Sequence, residues 1–263
     1  MNLSGTKTAI RERMARFEAF QPPRAAAEDD LEQAREIVAG KLRFNGNQPD
    51  KAMQQLIDVG RRGIDWTGGH LLHQEWPTQM GRFFLLGPLM RAYRQAPDTA
   101  LAEAARDYID DWIAHFDCEA IESRGNTCMD IGIRLGTHGW GGWACALATF
   151  LDEPAWDDAF IGRMLASIER QAHILWKRGI PSRLWGNHRI FGLDGLLHAA
   201  LRLPFLADAD AMVAFSRLNL EQAFRTQFMP DGSYIEQTLG YHQHMAETYI
   251  YLFRLARHFP EAG

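Results

Sequence analysis

The sequence predicts an all-α protein built as an (α/α) toroid of helical hairpins. Three observations predict it. Apolar residues recur at helical spacing through most of the 263 positions. Strand signals are few, the best being Ser233 to Gln237 after the Pro230-Asp231-Gly232 turn. No fixed-period repeat is visible, which disfavours a tetratricopeptide or HEAT array. An open α-solenoid fits the same spacing. Loops carrying Trp, His and Arg favour the toroid, whose loops and inner helix ends line a cleft.

Residues 1–263 read as one domain, with the first 20 residues polar, basic and loosely ordered. Ala25 to Val38 reads as an acidic amphipathic helix ended near Gly40. Lys51 to Arg62 reads as a second, stopped near Gly63. Gln79 to Arg94 is strongly apolar and runs into Pro97. Asp98 or Thr99 can cap the next helix, whose Leu101, Ala105, Tyr108, Ile109 and Trp112 share one face. Thr127 and Asp130 have capping-box spacing, and the helix they open reads through Ile133 to Phe150. Trp156 to Trp176, Asn187 to Leu203, Asp208 to Phe228 and Tyr241 to His258 complete roughly nine helices.

Composition narrows the class. Hydrophobic residues make up 46 % and charged residues 23 %, enough for a large core and too apolar for disorder. Net charge is −5, with no long Lys/Arg run, which argues against nucleic-acid binding. No stretch reaches the roughly 18 to 20 apolar residues of a membrane span, and no signal-peptide pattern opens the chain. A cytoplasmic location is the default expectation, with the periplasm as the alternative. Cys118, Cys128 and Cys145 show no CxxC and read as free thiols. No cofactor or metal is expected, since the histidines form no HExxH or other compact ligand pattern.

Two motifs carry the chemistry. Trp185-Gly186-Asn187-His188-Arg189 opens one helix. Asp231-Gly232-Ser233-Tyr234-Ile235-Glu236-Gln237, followed by Gly240-Tyr241-His242, opens another. Each sets amide, imidazole, guanidinium or phenol groups at a helix end. Such groups can neutralise a carboxylate and move a proton, the two tasks of β-elimination on a uronate. Lys177, Arg178, Arg183 and Arg189 stand against Asp194 alone in that stretch, a basic cleft in an acidic protein.

At Asn187-His188 and Gly240-Tyr241-His242 the sequence resembles the heparinase II/III-like polysaccharide lyases, a group that includes related alginate lyases. His73-Gln74-Glu75-Trp76-Pro77, Arg82-Phe83-Phe84 and Gly87-Pro88-Leu89 look like that family's early helix pair. Asp130-Ile131-Gly132-Ile133-Arg134 looks like its D-x-x-I-R helix, and Asp231 to Gln237 its DGSYxEQ turn. The resemblance covers roughly residues 60 to 258. It implies a helical toroid followed by an antiparallel β-sandwich, of which this chain carries the first and not the second. The expected partner is an acidic polysaccharide or oligosaccharide, heparin or heparan sulfate first and alginate next, with no nucleic acid and no membrane.

The resemblance implies roles by residue. Asn187 would neutralise the uronate carboxylate, with His188 assisting as donor or proton-transfer group. Tyr241 would act as base or acid. A phenol's ordinary pKa of about 10 must fall for the first role, with Arg183, Arg189 and His242 as candidate causes. Arg134 would bind a carboxylate or sulfate bidentately or pair with Asp130. Trp76, Trp140 and Trp185 would stack on sugar rings or pack in the core. His73 and Gln237 would line the cleft. Asn187 also fits a helix N-cap, and Tyr241 a core aromatic. Two other classes stay open. An (α/α)-toroid glycoside hydrolase needs two facing carboxylates, for which Asp65, Glu75, Asp130 and Glu236 are available. A non-catalytic polysaccharide-binding module needs none.

Overall fold

The computed structural model of the chain describes residues 3–44, 55–116, 119, 125–137, 141–179 and 185–262. Eleven α-helices and one two-stranded sheet are found among them, arranged as an all-α toroid of helical hairpins. Helix α1 spans Leu3–Phe20, so residues 3–20 are helical where loose order was expected. Its Ile10, Met14 and Phe17 are buried, spaced to face the core from one side. Helix α2, Glu28–Val38, begins with Glu28, Asp29 and Asp30, and the Asp30 carboxylate accepts the Ala27 backbone N–H at 2.9 Å. Negative charge at that end complements the helix dipole.

The expected helix from Lys51 to Arg62 is not formed. Gln55–Asp58 is a strand, β2, paired antiparallel with β1, Lys41–Phe44, and residues 51–54 lie outside the described set. Leu56 and Ile57 suit a strand as well as a helix, and the pairing partner decides between them. The apolar run from Gln79 to Arg94 is two helices, α3 (Trp76–Gly81) and α4 (Leu86–Gln95). They are split at Phe83, which takes φ +56. That left-handed geometry is costly for a bulky residue. It delivers the ring into a buried aromatic cluster, stacked on Trp66 and edge-on to Trp112 and Trp143.

Helix α5, Thr99–His115, is capped by Asp98, as expected. Helix α6, Cys128–Leu135, carries the predicted capping box. The Asp130 carboxylate accepts the Thr127 N–H at 3.0 Å, and Thr127 Oγ1 accepts the Asp130 N–H at 3.4 Å. It stops at Gly136, φ +129, instead of running to Phe150. A Cβ at Gly136 would sit 2.7 Å from the Gly141 carbonyl oxygen, so the chain folds back on itself through glycines. Helix α7 follows as Trp143–Thr149, then α8 as Asp158–Ile174 with a π-helical turn, Leu175–Gly179.

Helix α9, Asn187–Arg202, lies at the centre, and every residue in it except His188 is buried. Helix α10 is Ala209–Gln227 and α11 is Leu239–His258. Between them the expected strand at Ser233 to Gln237 reduces to a single bridge between Phe228 and Tyr234. Helices α6 and α9 meet backbone to backbone. A Cβ on Gly195 would stand 2.2 Å from the Gly132 carbonyl oxygen, and one on Gly132 would stand 2.3 Å from that of Phe191. No side chain fits there, so the central helix approaches its neighbour only through these glycines.

Gly195→Ala is therefore expected to destabilise the chain by about 3 kcal/mol, the upper range for overpacking a tight core. Gly162→Ala, on α8 with open space around its Cα, is expected to be neutral or slightly stabilising. Denaturant unfolding of the two variants side by side checks the contrast.

Candidate functional site

Asn187 is the first residue of α9 and is 5 % exposed. Its backbone N–H donates to Glu236 Oε1 at 2.5 Å, and its side-chain Nδ2 donates to Glu236 Oε2 at 2.9 Å. One carboxylate thus holds both the helix end and the side chain. A carboxylate only accepts, so the amide nitrogen must face Glu236. The amide oxygen is left buried and without a hydrogen-bond partner among the described residues. A buried acceptor in that state costs stability. Gly186, at φ +80, makes the approach possible: a Cβ there would lie 2.4 Å from Glu236 Oε1.

Glu236 belongs to the Asp231–Gln237 turn, so this pair of bonds joins the two motifs, which are far apart in sequence. The turn is locally built. Ser233 donates from its backbone and its hydroxyl to Asp231 Oδ1, and Met229 N–H donates to the Ser233 carbonyl. Asp231 is held below the usual carboxylate range, chiefly by the Ser233 backbone N–H. Tyr234 is fully buried and donates its hydroxyl to Gln227 Oε1, which anchors the turn to the end of α10. Burial pushes that phenol above its ordinary pKa, so it stays a donor. Gln237 takes φ +53 and is exposed.

Thr238 then caps α11, its hydroxyl accepting the Tyr241 N–H at 3.2 Å. Tyr241 is 46 % exposed, so it is not a core aromatic. His242 is half-buried, with Nδ1 unpartnered among the described residues. Asp231, Gln237 and His242 line a depression of about 690 Å³. His188 is exposed, and its backbone carbonyl accepts the Cys128 thiol at 3.5 Å, fastening the start of α9 to α6. Trp185 is 55 % exposed just before the helix.

Other residues expected at the site lie elsewhere. Arg134 is fully buried. It donates to Gln171 Oε1, to the Gly81 and Gly125 carbonyls and to Asn126 Oδ1, at 2.6 to 3.2 Å, and lies 4.4 Å from the Trp112 ring centre. It faces protein on every side and offers no fork to a ligand. Nor does it pair with Asp130, which binds Arg82 Nε at 2.7 Å. Arg189 is 4 % exposed and turns to Asn219 and Gln222 on α10, where burial lowers its pKa. Trp76 is fully buried, edge-on to Phe44. His73 is exposed beside Phe44, and no contact joins it to Asn187. Lys177 sits over its neighbour Trp176, and Arg178 pairs with Glu119. Trp140 and Arg183 lie outside the described residues. The expected basic stretch therefore does not converge on Asn187 among the described residues.

The sequence offers Glu236 only as a possible hydrolase carboxylate and not as the partner of Asn187. Nothing in the linear spacing signals a bond across 49 positions.

The model of the heparinase II/III N-terminus family matches residues 8–261. Among solved structures, a heparinase III superposes with a TM-score of 0.79 at 18 % identity, over 92 % of this chain and 36 % of that one. The heparan sulfate lyase HepC from Pedobacter heparinus superposes with a TM-score of 0.69 at 19 % identity, over 91 % of this chain and 35 % of that one. The chain thus spans about a third of the length of either structure. No curated protein matches it in sequence.

Two outcomes are expected from this geometry. Glu236→Ala frees the Asn187 amide and costs about 1–2 kcal/mol of stability. In nuclear magnetic resonance its Nδ2 protons should lose their hydrogen-exchange protection. Arg134→Lys keeps the charge but loses the fork, leaving buried carbonyls unsatisfied at a cost of about 2–4 kcal/mol. Thermal unfolding checks the second, and saccharide affinity of the folded fraction should not change.

Proposed function

Because the chain belongs to the heparinase II/III N-terminus family, we propose that it is the helical part of a lyase. Its substrate class is a uronate-containing acidic polysaccharide, heparan sulfate or heparin first and alginate next. The single observation that supports this reading best is the Asn187–Glu236 clamp. It brings an uncharged amide, an exposed imidazole and an exposed phenol to two adjoining helix starts. That is a proton-transfer and charge-neutralising set rather than a pair of catalytic carboxylates.

In the proposed reaction the C5–H bond of the uronate breaks and its proton passes to a base. The electron pair forms the C4=C5 double bond, and the C4–O4 bond breaks as O4 leaves with a proton. The adjacent carboxylate opposes loss of the C5 proton while it carries full negative charge. Asn187 answers this with its free amide oxygen, which can accept a hydrogen bond from a carboxyl group in its protonated, neutral form. Tyr241 sits in the first turn of α11 with its phenol exposed. It serves as the base at C5 or hands its proton to O4. His188 and His242 flank the two motifs as further proton carriers. Trp185 offers an exposed ring face for a sugar.

The hydrolase alternative is less well supported. Glu236 is committed to Asn187, and Asp130 is fully buried in its capping box against Arg82. Neither is free to act as the acid or base of a facing pair.

The test is ultraviolet absorbance of this chain, and of any longer form that includes it, with heparan sulfate, heparin, alginate and hyaluronan offered separately. A lyase creates a conjugated unsaturated uronate and absorbance rises. Asn187→Ala and Tyr241→Phe are each expected to lower kcat by about 10²–10³. New reducing ends without absorbance would replace this reading with the hydrolase. Saccharide binding with neither signal would replace it with a binding module.

A further inference from the structure

A second cavity, of about 410 Å³, lies at the other end of the toroid. It is walled by α1, the 21–24 segment, α4, Thr137, α7, α11 and Arg202, the last residue of α9. Asn187 stands at the first residue of that helix, so about 22 Å of helix separates the two places. Nothing in the lyase reading uses this cavity.

Its charge is unbalanced. Arg24, Arg91, Arg94 and Arg202 line it. Asp30 binds Arg24 at 2.9 Å and Arg91 at 2.5 Å, and Glu18 lies 3.3 Å from Arg94. Among the described residues four guanidiniums meet two carboxylates, an excess of two positive charges. Arg24 and Arg91 share one carboxylate, and Arg202 has none. It is 6 % exposed and forms no ion pair with a carboxylate among the described residues. Among the described residues its Nη1 reaches only the Gly136 carbonyl, at 3.5 Å, and its Nε has no hydrogen-bond partner. Its guanidinium lies 4.7 Å from the Phe17 ring centre, which leaves its edges for a ligand. The partial negative charge at the end of α9 eases this cation without satisfying its donors.

Two further buried groups of the wall are also unpartnered. Thr137 is fully buried, and neither its Oγ1 nor Arg91 Nε has a hydrogen-bond partner among the described residues. Each donor buried without an acceptor costs free energy, and three around one cavity call for an acceptor that is negatively charged. We propose that this cavity is an anion-binding site distinct from the Asn187 site. Its ligand is a small oxyanion, sulfate or carboxylate, taken by Arg202 with Thr137 and Arg91. The anion comes either as a free ion or as the acidic group of a saccharide.

The experiment is calorimetric titration of the chain with sodium sulfate, against sodium chloride at equal ionic strength. Parallel titrations use glucuronate and a sulfated disaccharide. Saturable sulfate binding is expected, weakened about tenfold or more in Arg202→Met and several-fold in Thr137→Val. Arg202→Met discards an unpaired buried charge, so it should stay folded. Thr137→Val, nearly equal in volume, carries the test if it does not. A disaccharide that binds more tightly than sulfate, and loses that affinity in Arg202→Met, identifies a saccharide ligand. Equal affinity identifies a free-ion site. No saturable binding beyond chloride, or the same affinity in both variants as in the parent chain, overturns the proposal and leaves Arg202 as a helix-end residue only.

Discussion

A single buried cation ties the hairpins together. Arg134, on α6, reaches the last residue of α3 through the Gly81 carbonyl, α8 through Gln171, and the approach to its own helix through Gly125 and Asn126. Trp112 of α5 closes the remaining face. Burying a guanidinium is costly unless its donors are met, so these elements are held in one arrangement or the charge is stranded. Gly81 and Gly125 take part for a steric reason. A Cβ on Gly81 would stand 2.2 Å from the Gly125 oxygen, and the two backbones must be that close for both carbonyls to face one guanidinium.

The same helix sets the position of the candidate site. Gly132 of α6 admits Gly195 of α9, and Cys128 at the start of α6 holds the His188 carbonyl. With α9 fixed at these points, its first residue meets Glu236 from the turn before α11. The helix then runs inward to Arg202, so one buried element presents Asn187 at one end and, at the other, a cation with no carboxylate partner among the described residues. The rigidity of the core is thereby lent to a candidate site made of loop ends.

Part of the candidate site's placement is legible in the sequence, and the reasons for the rest are physical. Asn187, His188 and Tyr241 were readable because they open helices beside glycines, and helix starts collect polar groups. Thr127 and Asp130 were readable because a capping box is a local bond. Arg134 and Arg189 were misplaced because an arginine on an apolar helix looks the same whether its partners are carbonyls or a ligand. The Gln171 and Asn126 acceptors of Arg134, and the Asn219 and Gln222 acceptors of Arg189, come from elsewhere in the chain. Trp76 illustrates the same limit, since a tryptophan's burial depends on what packs over it. Glu236 was noticed for its charge while its contact with Asn187 stayed hidden.

Local chemistry by itself determined the all-α class, most helix starts and the two motifs. Caps, turns and 3.6-residue periodicity act within a few residues, so they are written in the chain. Tertiary structure alone decided where long apolar runs break. Phe83 interrupts one because its ring is wanted among Trp66, Trp112 and Trp143, and Gly136 ends another because the chain must fold back at Gly141. It also decided that Gln55 to Asp58 pairs with Lys41 to Phe44. And it decided which polar residues face a cavity and which face carbonyls, because satisfying a buried charge depends on groups that only the packed fold brings within 3 Å.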